Sequence, residues 1–237
     1  MQMLGKIFNY VLIRVLSKGA YLNYQHYVYN TNPKNYPVIG EHVHLLPPLY
    51  LNPKNVELES YTRLQTGVEI IASQKQKVKI KKYTSVSAET IIIPGAHTPT
   101  VGLPQYLSYT GVNDINGELV IPEDVWIGAR CIILPKAKLG RGCVVAAGSV
   151  VNNFTPPYAV IAGTPAKIIA VRFSLQQILQ HERLLYKEKD RLTEAYLQKL
   201  FENEYKGLRV IGTDQLSPED SARLASEISK LKIDVTA

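Results

Sequence analysis

A period of six runs through the middle of this 237-residue chain and leaves few folds open to it. From Ile121 every sixth residue is aliphatic: Ile121, Ile127, Ile133, Leu139, Val145 and Val151. Four residues after the first five of these stand Val125, Cys131, Ala137, Cys143 and Ser149, all small. Neither the period of two of a strand nor the 3.6 of a helix sorts large and small residues into separate columns six apart. A triangular solenoid does. Each six-residue unit makes one short strand and one corner, three units complete a coil, the aliphatic side chains point inward, and small residues fit the crowded corner. Burying each aliphatic side chain contributes about 1.5–3 kcal/mol before chain entropy is counted, and stacked coils share one core.

The same phase occurs earlier, as Leu58, Leu64 and Ile70 with Thr62 and Val68, and as Ile80, Val86 and Ile92 with Thr84 and Thr90. Between these blocks, Ser73-Gln74-Lys75-Gln76-Lys77 shifts the phase and is expected to be a surface turn. The hexad is then lost for 28 residues between Ile92 and Ile121, a stretch holding Pro94, Gly95, Pro99, Gly102, Pro104, Gly111 and Gly117. This predicts a long loop over 93–120 that leaves the solenoid, and loops of such length are often functional. His97 lies at its start.

Both ends read as helical. Leu4, Ile7, Phe8, Val11, Leu12, Val15 and Leu16 follow helical spacing with Lys6, Arg14 and Lys18 among them, predicting a short amphipathic helix that ends near Gly19. Packing on the solenoid end is the favoured role for it, with contact at a membrane surface as the competing one. Ser174 and Gln177 have the spacing of a capping box and open a helical stretch to about Tyr205. Ser217-Pro218-Glu219-Asp220 opens a second helix, to about Leu231. The expected fold is mainly β, a parallel solenoid at 38–172 flanked by a lead-in at 1–37 and a helical extension at 173–237.

A hydrophobic content of 46% suffices for such a core. The absence of an 18-residue apolar run and of a cleavable leader predicts a cytoplasmic protein. The formal charge of +7 is accompanied by no basic helix or aromatic-basic RNA motif, so a nucleic-acid partner is not expected. Lys75, Lys77, Lys79, Lys81 and Lys82 read as a solvated face, and the excess charge suits a polyanionic cosubstrate. Cys131 and Cys143, twelve residues apart, lack the spacing of a metal or redox pair and read as buried fillers.

Asp124-Val125-Trp126-Ile127-Gly128-Ala129, Ile133-Leu134-Pro135, Ala146-Ala147-Gly148-Ser149-Val150-Val151, Pro156-Pro157-Tyr158 and Ala162-Gly163-Thr164-Pro165-Ala166-Lys167 follow one another. Together they resemble the signature of the hexapeptide-repeat acetyltransferases, closely over 120–172 and more loosely over 38–119. The resemblance implies a left-handed β-helix, a homotrimer, and acetyl-CoA lying in a groove between neighbouring solenoids. It implies His97 as the catalytic base and Trp126 as a wall of the active site. The backbones around Ala129 and Ala147 would line the pantetheine arm. Asn152-Asn153 replaces a Thr-Lys common in the family, removing one positive charge near the cosubstrate. Lys167 matches a basic position, and Arg172 stands two residues beyond a second one, occupied here by Ala170.

Chemistry read from the residues agrees with that assignment. Acyl transfer from a thioester to an alcohol needs a base beside a hydroxyl whose pKa is far above neutral, and a neutral imidazole serves. Glu89 and Asp114 are both candidates to orient the other ring nitrogen of His97. His42 and His44 alternate on one face of a strand and are candidates for an interface or acceptor role. The leading expectation is O-acetylation of a carbohydrate, with antibiotic or amino-sugar-nucleotide acetylation as close alternatives. A zinc hydratase on the same solenoid would need three histidines, and only His97 lies within 45–180, so no metal is expected. A non-catalytic trimeric scaffold is the remaining alternative.

Overall fold

The computed structural model describes residues 18–231. Eight short strands precede the loop: β1 (Val38–Ile39), β2 (His44–Leu45), β3 (Val56–Leu58), β4 (Arg63–Leu64), β5 (Glu69–Ile70), β6 (Gln76–Ile80), β7 (Ser85–Val86) and β8 (Ile91–Ile92). Seven follow it: β9 (Gly117–Ile121), β10 (Trp126–Ile127), β11 (Ile132–Ile133), β12 (Val144–Val145), β13 (Val150–Val151), β14 (Ala159–Gly163) and β15 (Ala166–Val171). They form three sheets, β1-β3-β6-β9, β15-β14-β12-β10-β7-β4-β2 and β13-β11-β8-β5, which the chain visits in turn. All pairings are parallel except the β14–β15 hairpin that ends the stack.

The hexad explains this arrangement residue by residue. Leu64, Val86, Ile127, Val145 and Ile161 are register partners in one sheet, Ile70, Ile92, Ile133 and Val151 in the next, and Leu58, Ile80 and Ile121 in the third. Each aliphatic residue therefore sits directly above its counterpart one coil away, and all of them are buried. The small column is buried as well. Burial pushes the Cys143 thiol up to about 12 and raises that of Cys131, so both are inert fillers.

Two corners repeat a left-handed backbone. At one, Tyr61, Tyr83, Asp124, Gly142 and Tyr158 all have positive φ, and the N–H of each donates to a carbonyl of the preceding coil, at 2.8–3.4 Å. At the other, Gly67, Glu89, Arg130 and Gly148 do the same. Non-glycine residues in this region carry backbone strain, which these inter-coil bonds offset. Gly128 has a different reason for being glycine: a Cβ there would lie 2.6 Å from Ala147 N and 2.8 Å from Val145 O, both backbone atoms of the next coil. Gly128→Ala should force the coils apart and lower stability by about 1–3 kcal/mol. An unchanged thermal midpoint would contradict that packing.

The amphipathic helix expected at 4–16 lies outside the described residues. Several other expectations require correction. The helix α1 (Lys18–Tyr24) runs through Gly19, where an end was expected, and continues as a π turn to Tyr29. Gln76 is not in a surface turn: it begins β6 and is buried, because its amide braces the neighbouring loop. That loop ends at Asn116 rather than at 120, since β9 pairs with β6 from Gly117 onward. The helical stretch after Ser174 is interrupted. The capping box forms and starts α2 (Leu175–Leu185), but the chain is extended at Tyr186 and restarts as α3 (Glu194–Asn203), capped by Thr193. Buried Glu182 causes the break by accepting the N–H of Leu192, which pulls the chain back across α2. The last helix, α4 (Pro218–Lys230), has Ser217 as its N-cap and buries no residue. No helix among the described residues is long and apolar enough to cross a membrane.

Candidate active site

The loop leaves the solenoid after β8 and is pinched shut at its base. Ala96 and Ile115 exchange both backbone hydrogen bonds, at 3.2 and 2.8 Å. One step further out, this pinch sets His97 opposite Asp114, whose Oδ1 lies 2.9 Å from His97 Nδ1. The carboxylate accepts only, so in the neutral ring the proton sits on Nδ1 and the lone pair on Nε2. The histidine is half exposed and the aspartate largely covered, 53% against 13%. Of the two candidates for orienting His97, Asp114 therefore does so, while Glu89 is engaged by Arg130.

Gln76 is the positioning residue that sequence reasoning missed. Its Nε2 donates to Ile115 O and Asn116 Oδ1, each at 3.3 Å, and its Oε1 accepts the N–H of Ser73 at 2.9 Å. A Cβ on Gly95 would collide with this amide, so the glycine admits the brace. The only signal in the sequence was a polar residue placed where β6 would otherwise begin with an inward-facing apolar one.

The remaining predicted residues fall into two grooves. Ala129 and Ala147 occupy equivalent corners of successive coils, and with Ala88, Glu89, Arg130 and Gly148 they line an open groove of about 520 Å³. Small side chains at all three levels keep this edge shallow. Asn152, Asn153 and Lys167 line a second cleft of about 380 Å³ together with Phe154 and Thr155, although they come from different coils. Lys167 is exposed and has no carboxylate partner among the described residues. Asn152 Oδ1 is buried there without a hydrogen-bond donor. Trp126 is 56% exposed on the sheet face, and its indole N–H donates to Ser87 Oγ of the preceding coil at 3.3 Å.

Arg172 departs from expectation. It stands at the opposite end of β15 from Lys167, and Asp124 holds its guanidinium at 2.7 Å while the carbonyls of Asp124 and Gly142 accept from it at 3.1 Å. His181 Nε2 approaches the same carboxylate at 3.0 Å. The structure thus joins Lys167 with Asn152 and Asn153, and commits Arg172 to tying the end of β15 to Asp124 and Gly142, while His181 brings α2 to the same carboxylate.

Residues 119–153 match the family model described as bacterial transferase hexapeptide (six repeats). This segment is similar to the hexapeptide repeats of bacterial transferases. A chloramphenicol acetyltransferase of Morganella morganii is 45% identical over 62 residues, which are 26% of this chain and 30% of that protein. A 2,3,4,5-tetrahydropyridine-2,6-dicarboxylate N-acetyltransferase of Clostridium perfringens is 58% identical over 50 residues, 21% of each chain. The chain thus spans less than a third of the length of these two relatives. Among solved structures, a hexapeptide-repeat acetyltransferase from Vibrio cholerae complexed with acetyl coenzyme A superposes with a TM-score of 0.51 at 24% identity, covering 66% of this chain and 78% of the other. A galactoside acetyltransferase in complex with coenzyme A gives 0.52 at 20% identity, covering 65% and 78%. At these identities the likeness is one of fold.

Proposed function

We propose that this chain is an O-acetyltransferase that moves an acetyl group from acetyl-CoA to a carbohydrate hydroxyl, with residues 38–172 forming a left-handed β-helix as the catalytic unit. The observation that carries the reading is the His97–Asp114 pair, held at the pinched base of a loop on a hexapeptide solenoid. In this reading His97 Nε2 takes the proton of the acceptor hydroxyl as its oxygen attacks the thioester carbonyl. Collapse of the tetrahedral adduct breaks the C–S bond, and the imidazolium returns the proton to the departing thiolate. Asp114 fixes the ring tautomer and stabilises the imidazolium. Left-handed coils run against the usual crossover preference, for which this repeat class is a known exception.

Acetyl-CoA supplies the activated acyl group. Its pantetheine arm fits the shallow groove at Ala129 and Ala147, beside Trp126, and its phosphates fit the cleft at Lys167. Asn152 lines the same cleft, where its buried, unpaired carbonyl oxygen calls for a donor that an N–H or O–H group of the cosubstrate, rather than its phosphates, would supply. Asn153 shares the cleft. Arg172 has no place among these residues, since Asp124 neutralises it. Lys167→Ala should therefore raise the Michaelis constant for acetyl-CoA more than it lowers turnover, and binding should weaken with salt. A Michaelis constant unchanged at low salt would place the phosphates elsewhere.

A neighbouring chain completes the cosubstrate groove in this reading, so the assembly is a homotrimer. Light scattering that shows a fully active monomer would overturn it. The local identity to a chloramphenicol acetyltransferase favours a second reading, with a small antibiotic as acceptor. Thiol release from acetyl-CoA, followed over a panel of sugars, glycans and chloramphenicol, separates the two. No release with any acceptor would sink both.

A further inference from the structure

A cleft of about 530 Å³ lies apart from the two grooves already described, within the range of ligand sites. One wall is the sheet face bearing His44, Arg63 and Ser85, another is the corner bearing His42, Tyr61 and Tyr83, and Lys230 of α4 closes the far side. Apart from Leu231, every residue lining it carries a hydrogen-bonding side chain.

Two regularities say what such a cleft would hold. His44, Arg63, Ser85 and Trp126 are successive register partners, so they form one straight file across four coils. Three strand spacings separate His44 from Trp126, roughly 14 Å. The Trp126 indole reaches back toward this lower part of the file through its bond to Ser87. Along the corner, His42 and Tyr61 stack with centroids 5.0 Å apart and planes 13° apart, and Tyr61 and Tyr83 at 5.7 Å and 27°. Because the rings cover one another's faces, the ladder presents edges and polar atoms, one set per coil. The Arg63 guanidinium is exposed and has no carboxylate partner among the described residues.

A file of polar groups repeating once per coil matches a linear polyhydroxylated chain that itself repeats. A compact, largely apolar acceptor would leave most of these groups unpaired, a poor exchange for their hydration. We propose that this cleft binds the non-reacting sugars of an oligosaccharide acceptor, laid along the file from His44 so that its reacting residue reaches Trp126. This rests on the acyltransferase reading for its direction, but the binding itself can be measured without acetyl-CoA.

The test is a calorimetric titration of the full chain with maltohexaose, cellohexaose, chitohexaose and a hyaluronan hexasaccharide, with galactose for comparison. At least one hexasaccharide should bind more tightly than galactose. Arg63→Ala should weaken that binding about tenfold, in keeping with loss of charge-assisted hydrogen bonds, and Tyr83→Phe should weaken it severalfold. Lys75→Ala, on the exposed turn outside the cleft, should bind as wild type, and thermal melts verify that each variant is folded. Failure of all four hexasaccharides to bind, or binding indifferent to both cleft substitutions, overturns the proposal. Thiol-release assays keep the two readings apart. A hexasaccharide bound through Arg63 and Tyr83, with no thiol released in the presence of any acceptor, would sink the acyltransferase reading and leave the cleft standing. Acetylation of galactose or chloramphenicol by a chain that binds no hexasaccharide would do the reverse.

Discussion

Replacing His97 by asparagine should lower turnover about 10²–10⁴-fold, the usual contribution of general-base assistance. Acetyl-CoA binding should stay nearly intact, because His97 lines neither the groove at Ala129 nor the cleft at Lys167. Asparagine keeps a hydrogen-bonding group that can face Asp114 but lacks a basic nitrogen, so lost packing cannot easily account for the defect. A folded His97→Asn protein retaining more than about a tenth of wild-type turnover would lie outside the range for a lost base, and the base would have to be sought elsewhere.

Glu182→Ala should be the most damaging single substitution for stability among those considered. The carboxylate is 1% exposed, and it accepts from Arg141 at 3.0 Å, from the Tyr158 hydroxyl at 2.7 Å and from the N–H of Leu192 at 3.0 Å. Its removal leaves a buried phenol without its partner and a largely covered guanidinium with only Glu123, at 3.5 Å, and the Asp190 carbonyl to hold it. Breaking one side of a buried ion pair typically costs about 3–5 kcal/mol, which for a chain of this size lowers the melting midpoint by roughly 6–20 °C. Calorimetry reads this directly. A shift of only a degree or two would mean that α2 is held by its apolar face alone, through Ile178 and Leu179.

The coil interior was legible because each position there has a single requirement. Ile121, Ile127, Ile133 and their equivalents must be aliphatic, the corner column must be small, and both demands recur every six residues. The loop and the capping box at Ser174 were legible for a related reason, since turn and cap chemistry is local. Three features lay beyond that reach. Gln76 braces Ile115, 39 residues away; Arg172 meets Asp124, 48 residues away; and the helical stretch breaks because Glu182 draws the chain back. In each, a polar side chain chooses a distant partner, and residue type alone leaves that choice open. The resemblance to acetyltransferases placed Lys167 and Arg172 together, whereas β15 sets them at opposite ends. The orienting role of Asp114 could not be separated from that of Glu89 until the Ala96–Ile115 pinch was seen.

That pinch divides the loop into two parts with different freedom to change. Inside it, Gly95, Gln76 and the paired backbones determine where His97 and Asp114 stand. Outside it, the tip over 98–113 bears exposed Val101, Tyr106 and Tyr109 and contains no buried residue. Insertions, deletions or exchanges in the tip can therefore accumulate without displacing the catalytic pair. In the proposed acyltransferase, selection for a new acceptor and preservation of the chemistry would act on separate stretches of the same loop, so that a lineage carrying this scaffold could diversify its substrates while inheriting one reaction.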